Sequence, residues 1–134
     1  MTIIDTDNKQ SSNGVQALYD FLIDMNNFEV LMPENKIEKW SSSTEECEFT
    51  IKGMARIGLK RIGSTEPNII KLETFGKVPF QFNLDILLNE SSGDGTDIQI
   101  HFEGDINPFM KLMVEKPLTN FFNMLVEKAA NLSL

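Results

Sequence analysis

The feature that most constrains this chain is its C-terminal stretch. Asn107 offers helix-cap chemistry, and Pro108 follows at the first helical position, where a missing N–H costs nothing. From there the spacing predicts one helix to about Asn131, roughly 36 Å long at 1.5 Å per residue. One polar stripe runs through Lys116, Asn120, Asn123, Glu127 and Asn131. Phe109, Met110, Leu112, Met113, Val114, Leu118, Phe121, Phe122, Leu125, Val126 and Ala129 cover most of the rest. A helix this apolar must be covered by other elements. Pro117 lies inside it, removes a backbone hydrogen bond and predicts a kink.

What precedes the helix can cover it. Residues 3–10 are polar apart from Ile3 and Ile4 and promise at most a weak edge strand. Val15, Leu18, Tyr19, Leu22 and Ile23 then recur at i, i+3, i+4, i+7 and i+8, the stripe of an amphipathic helix. Phe28, Leu31 and Met32 suggest a second short helix that Pro33 stops. From Ile37 the period changes to two. Phe49/Ile51, Ile57/Leu59, Ile70/Leu72, Phe82/Leu84/Ile86 and Ile98/Ile100/Phe102 each alternate with polar or glycine neighbours. Such alternation describes an antiparallel sheet with one wet and one covered face. Thr65–Asn68 and Ser91–Gly95 read as hairpin turns. Gly53, Gly58 and Gly63 match no phosphate-cradling motif and read as bends or bulges.

Composition narrows the function classes. The chain has 134 residues, which is about one domain. Its net charge of −8 makes it a poor general binder of nucleic acid. One cysteine (Cys47) and one histidine (His101) leave no disulfide, zinc module or multi-histidine metal site, and no cofactor is implied. No apolar run is long enough to span a bilayer, and the Met1–Asp5 start lacks the signature of a signal peptide, so a cytoplasmic location is expected. The stretch from Lys52 to Lys77 is locally basic, carrying Lys52, Arg56, Lys60, Arg61, Lys71 and Lys77 against Glu66 and Glu73. Its Arg56/Lys60 strand face is a candidate surface for an acidic protein partner.

The order of elements resembles the helix-grip fold of the START-like (SRPBCC) superfamily, which includes pollen-allergen proteins, polyketide cyclases and lipid-transfer domains. The resemblance spans the whole chain. It is carried by Leu18-Tyr19-Asp20-Phe21-Leu22-Ile23-Asp24-Met25-Asn26-Asn27-Phe28 with Leu31-Met32-Pro33, and by a long C-terminal helix containing Pro117, similar to that of small bacterial members. Asp5-Thr6-Asp7-Asn8-Lys9 is more polar than the superfamily's usual first strand. The resemblance implies an α+β domain over residues 1–134. In it a curved antiparallel sheet of about six to seven strands wraps the long helix, with two short helices near the N-terminus. It also implies binding of a hydrophobic small molecule or lipid in a cavity between sheet and helix. The alternatives are a polyketide cyclase- or dehydratase-like enzyme and a protein-interaction module of the chaperone-stimulating type.

The lining expected from the alternation is Phe49, Ile51, Ile57, Leu59, Leu72, Phe82, Leu84, Ile100 and Phe102 on the sheet, facing Met113, Phe121 and Leu125 on the helix. The same residues could equally fill the space as core. Arg61, Tyr19 and Asn83 are candidate polar anchors, and the enzyme alternative requires a polar group such as one of them to project into the cavity. His101 alternates with Ile100 and Phe102 and is expected on the wet face. Cys47, between Glu46 and Glu48, is expected to be an inactive thiol. No nucleophile–base pair, acid pair or metal cluster stands out.

Overall fold

The computed structural model describes residues 1–91 and 93–134. The elements, in chain order, are β1 (Thr2–Asp5), β2 (Lys9–Ser11), α1 (Val15–Leu22), a 3-10 helix (Met25–Leu31), β3 (Ile37–Ser42), β4 (Glu46–Ile51), β5 (Ala55–Thr65), β6 (Ile69–Thr74), β7 (Phe82–Glu90), β8 (Thr96–Gly104) and α2 (Pro108–Ala130). The eight strands form one curved antiparallel sheet in the order β1-β8-β7-β6-β5-β4-β3, and β2 also pairs with β8. Hairpins therefore connect β3 through β8, while the N-terminal strands return to the last strand. The expected strand count was lower because the polar segment at 3–10 makes two short strands on β8 rather than one weak one. Thr6 sits between them and binds the edge. Its hydroxyl accepts from the Ile100 N–H at 2.9 Å, and its own N–H donates to the Ile100 carbonyl.

The period-two pattern places the covered face. Cys47, Phe49 and Ile51 on β4, Ile57 and Leu59 on β5, Ile70 and Leu72 on β6, and the alternate residues of β7 and β8 are all buried. Two irregularities bend the sheet. The β3–β4 register shifts between Glu38 and Ser41, where Lys39 takes a positive φ of 57°. The β5–β6 register shifts between Arg61 and Gly63. Bulges of this kind increase local twist. Gly53, at φ 78°, turns the β4–β5 hairpin. At Gly58 an added Cβ would lie 2.7 Å from the Phe75 carbonyl oxygen, so the close backbone approach there admits only glycine.

The N-terminal helices close one side of the concave face. Leu18, Tyr19 and Leu22 of α1 are buried, as are Met25, Phe28 and Leu31 of the 3-10 helix. Asp24 caps the 3-10 helix by accepting from the Asn26 N–H, and its last residues run into buried Pro33. The Ser12–Gly14 segment expected to cap α1 does so without a side-chain bond, with Gly14 at the cap position. Of the loop expected at 91–95, Ser92 lies outside the described residues. No helix among the described residues is long and apolar enough to cross a membrane.

Candidate functional site

α2 lies across the concave face, but its two halves behave differently. Leu118, Phe121, Phe122, Leu125, Val126 and Ala129 of the C-terminal half are buried. None of the residues from Pro108 to Pro117 is. Phe109, Leu112 and Met113 are 78%, 89% and 65% exposed. Hydrogen bonds follow the same division. Beyond Pro117, Asn123 accepts from the Asp7 N–H at 2.8 Å, and Asn13 donates to the Leu132 carbonyl at 2.7 Å just past the helix end. Before Pro117, the described bonds and ion pairs stay within the helix and its cap: Asn107 accepts from the Met110 N–H, and Lys111 pairs with Glu115. Pro117 marks the boundary and offers no N–H to the carbonyl of Met113.

Beneath the C-terminal half, the space expected to be a ligand cavity is filled. A residual void of only about 10 Å³ remains there. That is about one water probe in size, and the side chains around it are all apolar. Phe49, Ile51, Ile57, Leu59, Phe82, Leu84, Ile100, Phe121 and Leu125 converge on it as expected, joined by Phe28, Met32, Ile86, Leu118 and Phe122. An aromatic chain plugs the space. Trp40 stacks on Phe49 at 5.7 Å, Phe49 on Phe121 at 6.2 Å, and Phe121 meets Phe122 edge-on at 5.8 Å. Phe122 then packs on Phe102 at 5.5 Å, which packs on Phe82 at 4.9 Å. These separations suit attractive ring contacts. Leu72 and Phe102, also expected as lining, are fully buried core away from the void. No buried side-chain nitrogen or oxygen lacks a hydrogen-bond partner among the described residues, so no polar group in the core waits for a ligand.

The usable space is under the N-terminal half of α2. A solvent-open groove of about 640 Å³ runs between that half-helix, the β4–β5 turn and the β6–β7 loop. Its walls are mainly apolar: Ile51, Met54, Pro79, Phe80, Phe109, Met110, Met113, Val114, Pro117, Phe121 and Met124. The polar groups are Lys36, Lys52, Asn107 and Asn120. Ile51 and Phe121 border both this groove and the small inner void, so those two side chains divide them. Met113, expected to face the sheet, instead lines the groove from an exposed position.

No protein-family model matches the sequence, and no curated protein sequence does. Solved structures do match. The XoxI protein of Bacillus cereus superposes with a TM-score of 0.77 at 7% identity, covering 97% of this chain and 94% of its own. A Chromobacterium violaceum protein gives 0.74 at 14% identity, covering 98% and 97%. Norcoclaurine synthase of Thalictrum flavum, solved in complex with dopamine and hydroxybenzaldehyde, gives 0.72 at 14% identity, covering 96% and 84%. The chain has the START-like helix-grip fold.

Within this helix grip the candidate polar anchors lie away from both spaces. The Tyr19 hydroxyl donates to Ser64 at 2.9 Å. Arg61 shares sequence parity with Ile57 and Leu59, but it sits at the β5 irregularity and its guanidinium donates to the carbonyls of Ile23 and Thr44. It clasps the end of α1 to the β3–β4 turn. Asn83 is exposed on the wet face of β7. The basic strand face is already paired across the sheet, Arg56 with Glu48 at 3.4 Å and Lys60 with Glu73 at 3.6 Å.

His101 also lies on the wet face of the helix grip. Its Nε2 meets Glu103 at 3.0 Å and its Nδ1 meets Asp5 at 2.5 Å. These hydrogen bonds to Glu103 and Asp5 push its pKa up and join β1 to β8. Burial, reinforced by Glu48 and Glu46, pushes the Cys47 thiol up to about 12, so it is no nucleophile at neutral pH.

Lys36, Met54 and Pro79 lie in turns outside the alternating pattern, Lys52 stood out only as part of the basic stretch, and Phe80, at the start of the alternating run Phe80–Ile86, lies just before β7. A signal for the groove was nonetheless present. Phe109 to Val114 is apolar around more of the helix than one sheet can cover.

Proposed function

We propose that this protein binds a hydrophobic small molecule or lipid in the groove beneath the N-terminal half of α2. The observation that carries the reading is the groove itself. Its volume of about 640 Å³ is that of a small-molecule site, and its walls are mainly apolar. An apolar occupant would cover Phe109 and Met113, which otherwise stand in water. The methionines at 54, 110, 113 and 124 give the wall an adaptable surface. The ligand complex reported for norcoclaurine synthase is consistent with a binding role for this architecture. The filled core moves the proposed site outward from the cavity expected between sheet and helix.

The other two readings draw less support. Tyr19, Arg61 and Asn83 do not line the groove, so the cyclase-like alternative would have to work through Lys36, Lys52, Asn107 or Asn120 instead. Arg56 and Lys60 have carboxylate neighbours, which reduces their pull on an acidic partner.

The test uses a neutral apolar fluorophore such as Nile red. The wild-type chain should bind it saturably near one to one. Val114→Trp, which places a large ring where the groove borders the core, should abolish that binding while the protein keeps its cooperative thermal unfolding. Undiminished binding by Val114→Trp would overturn the assignment. Organic extraction of the denatured protein, followed by mass spectrometry, should identify any molecule that co-purifies.

A further inference from the structure

The groove's polar groups are of one charge sign. Among the described residues, Lys36 and Lys52 are its only ionisable lining residues, and no carboxylate lines it. Their positions follow from the strand register. Ile37 pairs with Ile51 in the β3–β4 ladder, so Lys36 and Lys52 stand opposite each other one step beyond. The Lys52 N–H donates to the Lys36 carbonyl at 2.8 Å and holds that step closed. Like charges placed directly across a strand pair repel and destabilise it. Among the described residues neither ammonium makes an ion pair or a hydrogen bond; Arg56, Lys60, Lys71 and Lys111 each have a carboxylate partner, and Lys9, Lys39, Lys77, Lys116 and Lys128 are likewise unpaired but do not line the groove. Glu34 and Glu38, the acids flanking Lys36, line a different groove.

We infer that the ligand is an amphipathic anion, whose apolar body lies under α2 and whose single anionic head sits between Lys36 and Lys52. This rests on the groove reading above and adds the class of molecule. Lysine is a compact point charge without a fixed fork, so the pair would accept a carboxylate or a phosphate monoester alike. The protein as a whole carries −8 and repels anions. At physiological salt that field is screened beyond about 8 Å, so a local cation pair decides what the groove accepts. The first turn of α2, beside the groove at Asn107, contains no acidic residue, and its positive dipole end adds to the same preference.

The experiment compares three ligands of equal chain length below their aggregation limits: oleate, oleyl phosphate and uncharged oleyl alcohol. Wild-type protein should bind both anions about three- to thirtyfold more tightly than the alcohol, the range for two partly exposed charge contacts. The difference should shrink as salt is raised. A preference between oleate and oleyl phosphate identifies the head. In K36Q/K52Q the affinity for both anions should fall to that for the alcohol measured on the same variant. In K36E/K52E, oleylamine should become the preferred ligand. Equal wild-type affinity for anions and alcohol overturns the head-group inference while leaving the groove reading intact, and so does an anion preference that survives K36Q/K52Q. Failure of all three ligands to bind overturns both.

Discussion

The two halves of α2 have similar apolar content and opposite surroundings. After Pro117, Phe121, Phe122 and Leu125 are locked into an aromatic core that leaves about 10 Å³. Before it, Phe109, Leu112 and Met113 face water beside a groove of about 640 Å³. One half seals the grip and the other roofs an open space. Apolar residues on a helix therefore report how much surface wants covering, while the neighbouring elements decide whether protein or ligand supplies the cover. Asn123 of the second half accepts from the Asp7 N–H between β1 and β2, whereas the groove beside the first half is bounded by the β4–β5 turn and the β6–β7 loop.

The largest test of this contrast is a pair of truncations. Phe82→Ala removes a ring that contacts Phe80, Phe102 and Phe122, and should cost about 3–5 kcal/mol in urea unfolding. Phe109→Ala should stay within about 0.5 kcal/mol, because its ring is mostly in water. Comparable losses at both sites would break the comparison. Next in size is the boundary. Pro117→Ala restores an N–H to the Met113 carbonyl and should stabilise the chain by about 1–3 kcal/mol. It should also slow ligand exchange several-fold by coupling the roof to the anchored half. Exchange kinetics that do not change would show that the roof does not move about this proline.

A subtler change targets the divide. Phe121→Ala should join the inner void to the groove, so that a bulkier apolar ligand binds better than it does to wild type, measurable by competition against Nile red. The smallest effect concerns the clasp on the far face. Glu103 and Asp5 raise the folded pKa of His101, so its contribution to stability is full below an unfolded pKa of about 6.5 and is lost as pH rises through the raised folded value. Asp5→Asn with Glu103→Gln should lower the His101 midpoint in an NMR titration and flatten that pH dependence. Groove binding should be unchanged, since neither half of α2 is involved.

Much of the architecture was legible in the residues because it rests on local periodicity. Alternation marked the buried face of β4 to β8, the i, i+3, i+4 stripe marked α1, and Asn107-Pro108 marked the start of α2. The short strands β1 and β2 were less visible, because their pairing depends on Thr6 and on β8, far away in sequence. Arg61 keeps the parity of Ile57 and Leu59 and pairs with buried Leu72, but its guanidinium is taken up by the carbonyls of Ile23 and Thr44, a tertiary contact that no local period marks.

The site divided along the same line. That an apolar helix must lie on a curved sheet follows from side-chain chemistry and spacing alone. Whether the interior is full or hollow depends on how the rings of Phe49, Phe82, Phe102, Phe121 and Phe122 interlock, which no period in the sequence encodes. Packing is a three-dimensional fit among residues distant along the chain. Only the folded structure could close the expected cavity, open the groove beside it and set Lys36 opposite Lys52.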